Sequence, residues 1–88
     1  MHLSVDISMY PLQDGYKIKI QDFLGMLNSY AINVDIRTSN MSTRIFGEFD
    51  DVNTLLNACM KESMERYGKV VFVCKYLEGD ARKLEGYD

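Results

Sequence analysis

Residues Thr38 to Gly47 read TSNMSTRIFG, and the parsing of this stretch decides the fold. Ser39-Asn40-Met41 reads as a short polar turn. Asn33-Val34-Asp35-Ile36-Arg37 alternates before it, and Ser42-Thr43-Arg44-Ile45-Phe46-Gly47-Glu48-Phe49 alternates after it. Two alternating runs around such a turn predict a β-hairpin. Val34, Ile36 and Thr38 are expected on the core side of its first strand, and Ile45, Gly47 and Phe49 on that of the second. The turn also gathers the hydroxyls of Thr38, Ser39, Ser42 and Thr43. Such a cluster either satisfies turn amides or holds a small polar ligand.

Toward the N-terminus, Tyr16, Ile20, Phe23, Leu24, Leu27 and Ala31 recur at helical spacing. Gly25 within this helix costs about 1 kcal/mol against alanine, which suggests close packing on a strand. Asp14 is the expected cap. Further back, His2 to Tyr10 alternates, with Leu3, Val5, Ile7 and Met9 on one face and Ser4, Asp6, Ser8 and Tyr10 on the other. Pro11 is expected to stop this strand.

Toward the C-terminus, Asp50-Asp51 is the expected start of a second helix. Its stripe runs through Val52, Leu55, Leu56, Cys59, Met60, Ser63, Met64 and Tyr67 to a stop at Gly68. Val70 to Leu77, VVFVCKYL, is a last strand, apolar on both faces. The order strand, helix, strand, strand, helix, strand predicts a ferredoxin-like α+β fold, with sheet order 4-1-3-2 and both helices on one face. Residues 1–80 form one domain in this reading, and 81–88 a loosely held polar tail.

The other sheet face then has no helices. It carries Ser4, Asp6, Ser8 and Tyr10 beside Ser42, Arg44, Phe46 and Glu48, with Val71, Val73 and Lys75. Large apolar side chains gain roughly 1.5–3 kcal/mol each on burial, so this face is expected to meet a second subunit.

The chain has 88 residues, of which 47% are hydrophobic and 26% charged, with net charge −3. That balance suits one folded domain and argues against a nucleic-acid backbone as partner. The start, MHLSVDISMYP, has no cationic segment leading into an apolar one, so no signal peptide is expected. No apolar run approaches a membrane span of roughly 18–20 residues. Cys59 and Cys74 stand far apart inside apolar patterns and read as reduced core residues of a cytoplasmic protein.

Three short motifs stand in order along the chain: Ser8-Met9-Tyr10-Pro11-Leu12, then Thr38…Met41-Ser42-Thr43…Gly47, then Gly79-Asp80. Together they resemble the YkoF-like thiamine/hydroxymethylpyrimidine-binding family from about Leu3 to Asp80. The resemblance implies a ferredoxin-like unit that binds thiamine or its pyrimidine part in vitamin B1 uptake or salvage, often beside transporter components, with no catalysis. Some members of that family hold two units in tandem; others assemble single units into dimers or tetramers. This single unit is therefore expected to form a homodimer or homotetramer.

Thiamine offers an aminopyrimidine, a thiazolium cation and a hydroxyethyl arm. Such a ligand needs hydroxyl or backbone partners, flat or soft walls and an anionic group near the cation. Ser8, Tyr10, Thr38, Met41, Ser42 and Thr43 lie on matched motif positions. Ser42, Thr43 and Thr38 are assigned the hydrogen bonds with Ser8 adjacent, and Tyr10 and Met41 the walls. Asp6 is added from strand parity alone, as an acceptor or counter-charge. Tyr10 before Pro11 equally suits packing at a sheet corner. No resident cofactor is expected.

Other functions fit less well. His2 is the only histidine, and no nucleophile elbow, phosphate loop or zinc spacing is present. Acylphosphatase shares the fold class, but Pro11 to Gly15 lacks the arginine of its anion loop. The aromatic pattern of RNA-binding sheets is missing. A ligand-free assembly or regulatory module is the alternative that composition does not separate from vitamin binding.

Overall fold

The structure, a computed structural model, describes residues 1–83. Six elements follow in order: β1 (His2–Pro11), α1 (Tyr16–Tyr30), β2 (Val34–Thr38), β3 (Thr43–Glu48), α2 (Phe49–Tyr67) and β4 (Val70–Glu78). A short 3₁₀ turn, Ala81–Lys83, comes last. The strands form one antiparallel sheet in the order β2-β3-β1-β4, as the ferredoxin-like reading requires.

The alternation of β1 sets the layering. Leu3, Val5, Ile7 and Met9 are buried under the helices. Phe23, Met26 and Leu27 of α1 meet them, with Val52, Leu55, Leu56 and Cys59 of α2 and Ile45 of β3. Burying each such side chain stabilises the fold by about 1.5–3 kcal/mol, which explains why both helices hold to this face. Phe23 and Phe72 rings sit 5.0 Å apart at a 46° tilt.

Several local expectations are corrected. Pro11 extends β1 and pairs with Val70. The Leu12 N–H donates to the Lys69 carbonyl at 3.1 Å. By alternation the Pro11 nitrogen then points toward the β3 side, beyond the last β3 pairing at Ile7–Thr43, so its missing N–H breaks no ladder bond. Asp14 does not cap α1. Gly15 does so through a left-handed backbone at φ 80°, without a side-chain bond. Asp50 and Asp51 sit in the first turn of α2 behind the capping residue Glu48, where they still oppose the helix dipole. Phe49 opens that helix instead of ending β3, and is exposed.

Gly25 has nothing within 4 Å of where a Cβ would stand, so no strand packs on it. The close approach is at Gly47, whose added Cβ would lie 2.8 Å from Val34 Cγ1 and 3.2 Å from the Asn33 carbonyl oxygen. Met64 leaves the core. Four-residue steps along a helix advance about 40° each, and two of them from buried Leu56 turn it out to solvent.

The tail expectation is also corrected in its first residues. Ser4 Oγ donates to the Gly79 carbonyl and accepts the Ala81 N–H, both at 2.8 Å. Ala81 is buried as a result, and Ser4 on the helix-free face is buried beneath it. Residues 84–88 of that expected tail lie outside the described residues.

Candidate functional site

The hairpin closes where Thr38 pairs with Thr43. The Ser39 N–H donates to the Ser42 carbonyl at 2.9 Å, which fixes residues 39–42 as a tight loop. Ser39 Oγ reinforces it, donating to the Ser42 carbonyl at 3.2 Å and accepting the Met41 N–H at 3.4 Å. Ser39 is thus a turn-builder. Thr38 and Thr43 share the helix-side parity with Ile36 and Ile45, and that parity turns both side chains inward under α1.

A cavity of about 360 Å³ lies there. The end of β1, residues 7–11, forms one side, and the loop 38–43 forms another. Tyr16, Ile20, Phe23 and Leu24 of α1 close the third. The helix begins at Tyr16, after the left-handed Gly15, and its first turns line the cavity together with the hairpin tip. The lining is mainly hydrocarbon and aromatic with few polar groups, the usual make-up of a small-molecule site, and its volume lies in the ordinary range of about 300–1,000 Å³.

The hydroxyl chemistry is specific. Thr38 and Thr43 Oγ1 atoms lie 3.3 Å apart, so one donates to the other and one O–H is left to point elsewhere. Thr43 is only 4% exposed. Ser42 Oγ donates to Asp6 Oδ2 at 3.2 Å, and Ser8 Oγ donates to the Met41 carbonyl at a weak 3.4 Å. Each oxygen keeps acceptor lone pairs. The rim therefore offers several acceptors and few donors, which suits a ligand bearing an amine. Met41, 86% exposed at the loop tip, and Tyr10, half-exposed at the end of β1, stand at the cavity as a soft wall and a flat one.

Six of the seven residues singled out from the sequence line this cavity: Ser8, Tyr10, Thr38, Met41, Ser42 and Thr43. Asp6 does not. It shares the helix-free face with Ser8 and Tyr10 but stands farther from the hairpin loop, opposite Arg44, where it lines a separate cavity and reaches the first through the Ser42 hydroxyl. The α1 wall escaped the sequence reading, because Tyr16, Ile20, Phe23 and Leu24 fit a core stripe. The discordant signal was Tyr16, a hydroxyl-bearing residue at the first turn of an otherwise wholly apolar stripe.

The cysteines take no part. Burial, followed by the nearby Glu62 charge, pushes the Cys59 thiol up to about 11, and burial also raises Cys74. Among the described residues no group of three or more His, Cys, Asp or Glu is placed to hold a metal ion, and no helix is long and apolar enough to cross a membrane.

Compared with protein-family profiles and with curated proteins, the sequence matches none. Solved structures do resemble it. Protein SP2199 from Streptococcus pneumoniae superposes with a TM-score of 0.75 at 20% identity, covering 97% of this chain and 94% of that one. A Thermotoga maritima protein, TM0486, assigned provisionally to thiamine biosynthesis or salvage, gives 0.77 at 12% identity, covering 90% and 85%. The Bacillus cereus domain DUF77, of unknown function, gives 0.72 at 14% identity, covering 92% and 79%. At these identities the likeness is one of fold.

Proposed function

We propose that this chain is a binding protein for thiamine or its hydroxymethylpyrimidine part, serving vitamin B1 uptake or salvage in the cytoplasm and catalysing no reaction. The observation that carries this reading is the cavity between α1 and the hairpin tip, with its acceptor-rich hydroxyl rim and flat walls. An exocyclic amine supplies the donors that such a rim lacks. A planar pyrimidine fits between Tyr10, Tyr16 and the Met41 side chain. The fold-level likeness to TM0486 agrees with the assignment. Asp6 acts through Ser42, fixing its proton so that the Ser42 lone pairs face the ligand.

A homodimer or homotetramer through the helix-free face belongs to the same reading. Tyr10, Val71 and Val73 are 53%, 42% and 47% exposed there, and Tyr10 lies directly opposite Val71 across the sheet. Solution mass at micromolar concentration tests this part, and a strict monomer removes it. For the ligand, calorimetric titration with thiamine and with hydroxymethylpyrimidine should give saturable heats in the wild type. The Ser42→Ala, Thr43→Ala double variant should bind at least tenfold more weakly. Equal affinity in that variant refutes the site.

A further inference from the structure

The two borders of the sheet are built differently. β2 has only five residues, carries Asp35 and Arg37, and is strapped by Arg82, which donates to Asp35 at 3.0 Å. Shortness and charge are the ordinary protection of a border strand. β4, the opposite border, has nine residues and no proline, and Val71, Val73, Tyr76 and Leu77 are exposed along it.

The ladder fixes where the β4 main chain points. The Gly79 N–H donates to the His2 carbonyl, and the Leu12 N–H to the Lys69 carbonyl. His2–Gly79 and Leu12–Lys69 are therefore hydrogen-bonded pairs of the β1–β4 ladder, and such pairs alternate with non-bonded ones. With one unbroken register between them, Val71, Val73, Lys75 and Leu77 turn their N–H and C=O groups to β1. Val70, Phe72, Cys74, Tyr76 and Glu78 turn theirs outward, where no strand of the described residues pairs with them. Past Gly79 the chain folds over the helix-free face, onto Ser4 and then Asp35, and so leaves this border open.

We propose that the β4 border docks a second copy of this chain, whose own β4 runs antiparallel to it and joins both sheets into one. One register uses the whole strand, with the two-fold axis at Cys74. Val70 then stands opposite Glu78 of the partner subunit, Val71 opposite its Leu77, Phe72 opposite its Tyr76 and Val73 opposite its Lys75. Every outward N–H and C=O of one copy meets an outward group of the other. No like charges stand directly opposite, and two Phe–Tyr pairs form on the helix side. Charge selects the direction: Lys69 precedes the strand and Glu78 ends it, so antiparallel docking joins unlike ends. The two-fold also closes the assembly, so no fibre follows. This contact lies in the plane of the sheet and leaves the helix-free face and the α1 cavity untouched.

The test is NMR on the intact chain at millimolar concentration. In the non-bonded pairs of an antiparallel ladder the Hα atoms face each other, so Hα–Hα contacts are expected between Val73 and Lys75 and between Val71 and Leu77, and they should survive isotope filtering in a mixture of labelled and unlabelled chains. The Phe72, Cys74 and Tyr76 amides should exchange with solvent as slowly as those of Val73 and Lys75. Tyr76→Pro removes an N–H that the single chain does not use, so it should keep the fold while the Phe72 and Cys74 amides exchange at least tenfold faster. The wild-type contacts decide the matter even if that variant does not fold. The proposal is overturned if the outward amides exchange freely in the wild type, if the filtered contacts are absent, or if a folded Tyr76→Pro exchanges as slowly as the wild type. A dimer by mass that shows free exchange at these amides overturns it too, and leaves the helix-free face as the only interface.

Discussion

Thr38 and Thr43 face each other as the last pair of the hairpin, with their hydroxyl oxygens 3.3 Å apart at the floor of the α1 cavity. Two hydroxyls in contact share one proton and leave the other for a third group. If that group is a ligand, the pair acts as a unit. Thr38→Val and Thr43→Val should each weaken hydroxymethylpyrimidine binding by about tenfold, given roughly 0.5–1.5 kcal/mol per hydrogen bond. The double variant should lose less than the sum. Additive losses by calorimetry would show that the two hydroxyls act separately.

Gly47 and Gly25 make a contrasting pair. A Cβ at position 47 runs into Val34 and the Asn33 carbonyl, whereas one at position 25 meets open space. Gly47→Ala should destabilise by about 1–3 kcal/mol through overpacking. At about 4–8 °C per kcal/mol for a domain of this size, the thermal midpoint should fall by at least 4 °C. Gly25→Ala should raise it, by up to about 1 kcal/mol of helix propensity.

Ser63 Oγ is fully buried on α2 and has no hydrogen-bond partner among the described residues. An unsatisfied buried hydroxyl costs about 1–3 kcal/mol, so Ser63→Ala should be neutral or stabilising despite the lost atom. Urea unfolding measures this directly, and a clear loss of stability would mean that the hydroxyl is satisfied in solution.

Acid should act through Asp80. The Arg82 side chain, and then its backbone N–H, hold the Asp80 carboxyl well below the usual carboxylate range, against the opposing effect of burial. The folded value lies below the unfolded one of about 3.9, so this stabilisation is present above that pH and disappears as pH falls through the folded value. Urea midpoints measured from pH 5 down to pH 2 should fall less steeply in Asp80→Asn than in the wild type.

The sequence reading succeeded where period and parity speak. β1, the hairpin and the α2 stripe follow from apolar spacing, and the sheet order follows from their succession. Six of the residues that line the α1 cavity were singled out because they lie on the motif positions of the family resemblance. The misses are cases in which local chemistry was overruled by geometry that appears only on folding. Asp14 offers a capping side chain, but Gly15 reaches the left-handed conformation more cheaply. Asp6 shares the parity of Ser8 and Tyr10 but lies farther along β1, in a separate cavity. The wall from Tyr16 to Leu24 carries the signature of core, and it shows as a cavity wall only where the hairpin loop lines the same cavity. Phe46 reads as an exposed aromatic until the guanidiniums of Arg37 and Arg82 come to 5.4 and 5.3 Å from its ring centroid.

The Ser4 hydroxyl, bonded on both sides to the returning chain at Gly79 and Ala81, joins the opening strand to the residues that follow the closing one. The Gly79 N–H also reaches the His2 carbonyl at 2.9 Å. The first strand and the residues just after the last strand thus share one anchoring point. A bridge from Lys83 to Met1 in place of residues 84–88 should therefore allow circular permutation with new ends in the exposed loop at Asn40.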